Sequence, residues 1–128
     1  MVLEDFYYTK EHEWVQVDGE TGTIGITDHA QKQLGDIVFV EVPEVDTELE
    51  KGDEAASIES VKAVADVFSP VSGTVTAVNE ALEDEPEMVN KEAQGAGWLF
   101  RLRLSNKSEL NDLMNAAAYA KYLEEEEG

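Results

Sequence analysis

The sequence predicts a mainly β fold, a sandwich of small sheets or a flattened barrel, with one short early helix and a helical C-terminus. Three observations carry this expectation. Short runs of alternating β-branched and aromatic residues recur between Trp14 and Leu104, and turn residues separate them. Apart from one short early segment, helical spacing takes over after residue 105. A chain of 128 residues fits one domain, which at this size buries roughly two-thirds of its unfolded surface. The expected partition is strand-rich over about 6–104, helical over about 106–123, and a frayed acidic end at 124–128.

In chain order, "EWVQVDGETGTIGIT" places Trp14, Val15 and Val17 before Asp18-Gly19 and resumes at Thr23, Ile24 and Ile26, which predicts a β-hairpin. "DHAQKQLGD" breaks the alternation. Asp28 followed by Gln31 resembles a capping box, Ala30 and Leu34 share a face, and Gly35 supplies a stop, so one to two helical turns fit. A strand follows within 36–45, ended by Pro43, and corners are expected at Gly52-Asp53 and Gly73-Thr74. Residues 54–68 predict two strands joined tightly around Ser60 to Ala63, and 73–78 another. The acidic stretch 79–96, with Pro86, is expected as a surface loop, and "GWLFRLRLS" as a strand. In the tail, Asn106 and Glu109 form a second capping-box pair, with Leu110, Leu113 and Met114 on one face and a short helix over about 116–123.

Composition narrows the function classes. Acids outnumber bases 29 to 9, a formal charge of −20 that repels nucleic acid and anionic membranes and steers basic protein surfaces inward. Solubility alone would also account for it. With no cysteine, the chain has no thiol of its own for disulfides, thiolate metal sites or redox work. The N-terminus lacks a signal or transit pattern, and no apolar run approaches the roughly 18–20 residues of a membrane span, so a cytoplasmic protein is expected. There is no GxSxG, Walker loop, GxGxxG or HExxH motif, and no catalytic or metal-binding residue is assigned. Of the two histidines, His12 is expected at a strand edge and His29 in the first helical turn.

Lys62, in "SIESVKAVADVFSP", has a different setting. The flanking strands would project the turn outward, presenting a free amine on a short tip. Near neutral pH only about one such amine in ~10³ is unprotonated, so acylation there needs an enzyme. Local pattern leaves two readings open, a modified lysine and an ordinary solvated turn lysine.

Here the residues match a family. "ESVKA" (59–63) with "SPVSG" downstream resembles the lipoyl-attachment region of the glycine cleavage system H proteins, and further blocks agree: "YTKEHEWV" (8–15), "IGITDHAQ" (24–31), "LGDIVFVEVPEV" (34–45), "VNEAL" (78–82), "GWLFRL" (97–102) and the "SELNDLM…AYAKYLEEE" tail. The resemblance implies a lipoyl/biotinyl-type β-sandwich, a barrel-sandwich hybrid, with lipoate amide-linked to Lys62 and Glu59, Ser60, Val61 and Ala63 forming the tip that the modifying enzyme recognises. It implies a monomeric, non-catalytic shuttle. Such a shuttle takes an aminomethyl group from glycine decarboxylase (P protein) to aminomethyltransferase (T protein) and electrons to dihydrolipoamide dehydrogenase (L protein), after modification by a lipoate ligase or a lipoyl/octanoyl transferase. The redox sulfur would then belong to the arm. An aminomethyl cargo ends in an ammonium, which carboxylates beside a sheltering cleft could hold; Glu13 and Asp66 are the candidates, with His29 the weaker one. One block departs: where the family commonly carries Pro-Tyr-Gly before Gly-Trp, this chain has Ala93 and Gln94. H-like carriers serving sulfur oxidation or lipoyl relay, and an unmodified acidic binding module, are the alternatives.

Overall fold

The structure is a computed structural model, and it describes residues 6–127. Among the described residues nine strands form two antiparallel sheets. The larger has the order β1-β2-β3-β9-β8-β5, from β1 (Phe6–Tyr8), β2 (Glu13–Asp18), β3 (Thr21–Ile26), β9 (Phe100–Leu104), β8 (Gly73–Val78) and β5 (Glu48–Leu49). The smaller has the order β4-β6-β7, from β4 (Ile37–Glu41), β6 (Glu54–Ser60) and β7 (Val64–Phe68). The expected mainly β sandwich is the fold observed.

Period-2 alternation decides which side chains meet between the sheets. Val15, Ile24, Val75, Phe100 and Leu102 of the larger sheet pack with Ile58 and Val67 of the smaller, all buried. Arg101 and Arg103 take the outer positions of β9, and the Arg101 guanidinium lies 4.1 Å from the centre of the Trp98 ring. Gly73 opens β8 inside the sheet and is not the expected corner: a side chain there would collide with the Arg103 carbonyl.

A second apolar cluster joins the two ends of the described chain. Tyr8 stacks on Tyr119 with centroids 4.3 Å apart, and Phe6 and Trp14 complete the group. Tyr119 lies on α4 (Ala116–Glu127), which continues to Glu127 instead of ending near residue 123. Asn115 starts this helix by accepting from the Ala118 N–H at 2.8 Å. Before it, Lys107–Asp112 forms a 3-10 helix capped by Asn106. Glu109 makes no capping box there; its carboxylate accepts from the Ser72 N–H at 2.7 Å and from the Ser72 hydroxyl at 2.8 Å.

Helix α1 (Asp28–Leu34) is present, with two refinements. Its N-cap is Thr27, whose Oγ1 accepts from Ala30 N at 3.2 Å, while Asp28 accepts from the Gln31 side chain one turn on. Gly35 closes the helix at φ 81°, a conformation glycine adopts without steric cost. The segment expected as a loop contains two single helical turns, α2 (Ala81–Asp84) and α3 (Met88–Lys91), which bury Leu82 and Val89 in the main core. Two apolar anchors draw an otherwise acidic segment onto the protein, and Pro86 sits between the turns rather than inside one.

Candidate functional site

The hairpin between β6 and β7 ends in the turn Ser60-Val61-Lys62-Ala63, where the sequence placed it. Two-residue hairpin turns ordinarily need positive φ at one or both central residues. Neither Val61 nor Lys62 has it. The buried Ser60 side chain compensates. Its Oγ accepts from Lys62 N at 3.3 Å and Ala63 N at 3.1 Å and donates to the Ala63 carbonyl at 3.2 Å, while Ser60 N donates to the same carbonyl at 2.8 Å. Behind the turn, Val61 N donates to the Asp36 carbonyl at 2.9 Å, which seats the tip on the α1–β4 corner. Val61, Lys62 and Ala63 are exposed, and among the described residues nothing pairs with the Lys62 Nζ. The tip is internally fastened and its amine is free. Glu59, one strand position before Ser60, is exposed and faces Val64 across the hairpin.

Away from the tip, Val64, Asp66 and Phe68 alternate onto the outer face of β7 while Val67 turns inward. Val64 is 67% exposed and Phe68 37%, so an apolar residue stands at each end of this row with a carboxylate between them. The row spans roughly 13 Å of strand. Asp66, with Glu41, raises the carboxyl of neighbouring Glu54 above its ordinary range by a direct hydrogen bond and by charge repulsion.

At the far end of this row sits Glu13, only 3% exposed although it is an acid. Its Oε2 accepts from Phe68 N at 2.7 Å and its Oε1 from Thr9 Oγ1 at 3.1 Å. Burial dominates these bonds, and the nearby Glu11 charge adds to it, so the carboxyl is pushed up from its ordinary 4.5 to about 7. Glu13 lines a shallow cleft of ≈ 460 Å³ together with Thr9, Lys51, Phe68, Pro70 and Leu113 among others. Neither Asp66 nor His29 is part of that lining. His29 lies in α1 with its ring centre 4.5 Å from that of His12. His12 sits in the turn between β1 and β2 at φ 66°, not on a strand edge, and its Nδ1 lies 2.9 Å from the Tyr119 hydroxyl. His12 therefore belongs to the packing of α4 against the β1–β2 turn, and His29 meets it from α1. A larger concavity, ≈ 660 Å³, at Gln16, Thr23 and Arg101 shares no residue with the hairpin or with the Glu13 cleft. Among the described residues no three His, Cys, Asp or Glu side chains converge as metal ligands.

Comparison with known proteins adds a line of evidence independent of this geometry. The sequence profile described as "Glycine cleavage H-protein" matches residues 6–126. The chain belongs to the glycine cleavage H-protein family. It is 60% identical over 116 residues to the glycine cleavage system H protein of Paramagnetospirillum magneticum, covering 91% of this chain and 93% of that one. With the protein of the same name from Halothermothrix orenii it shares 54% over 126 residues, 98% of each chain. Its structure is similar to a crystal structure of a glycine cleavage system H protein from Mycobacterium marinum, with a TM-score of 0.85 at 33% identity over 94% of this chain and 98% of that one.

Against the H-protein pattern, the departure at Gln94 has a structural account, and that at Ala93 has none beyond a backbone contact any residue would make. The Ala93 carbonyl accepts from the Trp14 indole N–H at 3.0 Å. Gln94 Oε1 accepts from Asp28 N at 3.0 Å, satisfying a free amide in the first turn of α1, and its Nε2 donates to the Tyr8 hydroxyl at 3.3 Å. The Thr9–Glu13–Phe68 arrangement was missed in the sequence apart from Glu13 itself. Its one legible trace is an acid adjoining Trp14 in a strand whose neighbours are apolar.

Proposed function

We propose that this H-protein family member is the lipoyl-carrying shuttle of glycine cleavage, with Lys62 as the attachment residue. The observation that carries the assignment is an unpaired, exposed lysine on a hairpin tip fastened by its own serine, in a chain whose family profile spans almost all of it. These residues fit an amide-linked lipoyl group: the amine is accessible, and the tip is too well tied for the backbone to fold over it. A bound lipoyl group supplies the sulfur chemistry that this cysteine-free chain lacks, accepting the aminomethyl group and electrons.

The chain's own residues then hold and shield. Ser60 and the Asp36 carbonyl keep the tip in one place, so Lys62 is presented to each partner enzyme in the same position. Glu59, Val61 and Ala63 flank Lys62 and meet the lipoate ligase or the lipoyl/octanoyl transferase. Val64 and Phe68 offer apolar surface along which an acyl arm loses water contact. Glu13 would hold a cation brought to the cleft and release its proton to solvent, since a cation alongside favours the carboxylate. Asp66 adds a second charge between tip and cleft. His29, packed on His12, has no part in this reading. P, T and L proteins are the partners, and the chain itself performs no chemistry. Carriers in sulfur oxidation and an unmodified binding module are less well supported, because relatives at 60% and 54% identity bear the glycine cleavage name.

The intact mass of protein from lipoate-replete cells tests the attachment, the expected result being a lipoyl amide at Lys62. Glycine–CO2 exchange with P protein then tests the pathway. An unmodified Lys62 would remove the carrier reading, and a lipoylated sample without exchange would direct it to another complex.

A further inference from the structure

We infer that Asn90, on α3, is a positioning residue for the Lys62 tip, acting through a single peptide group. The inference rests on the carrier reading of Lys62 and goes beyond it, because Asn90 lies far along the chain in a segment whose sequence suggested only a loop.

The peptide unit joining Asp36 to Ile37 is held from both sides. Its N–H donates to Asn90 Oδ1 at 2.8 Å, and its C=O accepts from Val61 N at 2.9 Å. Val61 directly precedes Lys62. The Asn90 amide also donates, through Nδ2, to the Gly35 carbonyl at 2.8 Å and to Gln31 Oε1 at 2.9 Å. A backbone donor on one side and a backbone acceptor on the other settle which amide atom is which. One side chain thus grips the corner just before Asp36 and just after it, leaving the Asp36 carbonyl to hold the tip. The Lys62 stem crosses the same corner: a Cβ added at Gly35 would lie 3.5 Å from Lys62 Cε.

Each part of this relay is needed for a defined reason. The Gly35–Asp36 corner follows the last turn of α1 at positive φ, where the backbone has no ladder partner of its own on the Gly35 side. Without Asn90 the Ile37 N–H and the Gly35 carbonyl lose their partners, and the corner is free to rotate. Donation from the Ile37 N–H polarises its peptide and strengthens the carbonyl as an acceptor for Val61. Buried Val89 beside Asn90 anchors α3 to the main core, so the tip is referenced to the body of the fold rather than to its own hairpin alone.

The test uses the full chain, produced without lipoate, and a lipoate–protein ligase with lipoic acid and ATP as the probe. In that reaction the deprotonated Lys62 Nζ forms a C–N bond to the ATP-activated lipoic acid carbonyl as AMP leaves. Asn90→Ala is expected to lower kcat on the order of tenfold with KM unchanged, since the docking face stays intact while the amine is misplaced. Amide exchange at Val61, read by NMR on the unmodified protein, is expected to speed up in the same variant. Asn79→Ala is the control: Asn79 Nδ2 also bridges two carbonyls, of Ala96 and Trp98, at 2.8 Å each, but has no link to the tip. It is expected to cost stability without changing kcat or Val61 exchange. Asn90→Asp keeps the acceptor for Ile37 N–H but sets an oxygen against the Gly35 carbonyl and Gln31 Oε1, so Val61 exchange is expected to stay faster than in the wild type. If Asn90→Ala does not fold, Asn90→Ser, which is too short to bridge Ile37 N–H and the Gly35 carbonyl together, takes its place with the same expected split. Wild-type kcat or wild-type Val61 exchange in Asn90→Ala would overturn the inference, as would an equal effect from Asn79→Ala. If the wild-type chain is not modified at Lys62, the carrier reading fails, and Val61 exchange alone then decides whether Asn90 positions the tip.

Discussion

The Glu13 carboxylate on β2 accepts a 2.7 Å hydrogen bond from the Phe68 amide, at the base of the hairpin whose tip is Lys62. Strands from different sheets are thereby joined by one buried acid. The joint lies where the apolar row descending from the tip ends, which makes Glu13 both a fastening and a candidate contact for whatever the tip carries.

This fastening sets a pH dependence. The folded-state carboxyl, at about 7, lies above its ordinary 4.5, so the native state prefers the protonated form. Stability from this group is fully present below about 4.5 and is lost as pH rises through about 7. Glu13→Gln keeps an acceptor for Phe68 N–H and removes the titration. Urea unfolding at pH 5 and pH 8 should show a smaller pH penalty in the variant, by up to about 3 kcal/mol. An identical pH slope in both proteins would refute the assignment.

A loaded arm reports the second role. Glu13→Ala or Asp66→Asn is expected to speed hydrolysis of the aminomethyl-loaded arm, followed as ammonia release, without preventing lipoylation at Lys62. Unchanged hydrolysis in both variants would leave these acids with structural roles only.

Lys62→Arg separates carrying from folding. The side chain is exposed and unpaired, so the melting temperature should not move, since exposed substitutions of this kind stay within about 0.5 kcal/mol. The lipoyl mass increment should vanish completely. A residual increment would place the attachment elsewhere.

Ser60→Ala tests the tip itself. It removes the oxygen that accepts from Lys62 N and Ala63 N, at a cost of about 1 kcal/mol. Amide exchange should rise at Lys62 and Ala63 while Val61, held by Asp36, keeps its protection. Uniform loosening of all three amides would mean that the turn has no internal lock.

Apart from β1 and the two-residue β5, the strands, the Asp18-Gly19 hairpin and the Lys62 turn were legible because period 2 and turn chemistry act locally. The α2–α3 region was not. Its buried Leu82 and Val89 are seven apart but separated by Pro86, so no continuous helical face joins them, and a proline among acids has the composition of a loop. Thr27 and Asp28 are both good caps, and only the geometry of the incoming β3 chooses Thr27. At the site, Lys62 could be found from the family pattern, whereas the burial of Glu13 depends on Thr9 and Phe68 meeting across two sheets. Asn90 depends on three segments converging, which no local pattern encodes.

The place of Glu13 also bears on how these molecules tolerate one another at high concentration. β7 is an outermost strand of its sheet, bonded to β6 on one side only. An unpaired strand border with Val64 and Phe68 on it invites a neighbouring chain to add a strand of its own. The Phe68 N–H, one of the donors such an intruder would need, is already engaged by a carboxylate from β2. A copy of this protein could extend the sheet there only by evicting a buried acid, against a surface of the same negative sign as its own.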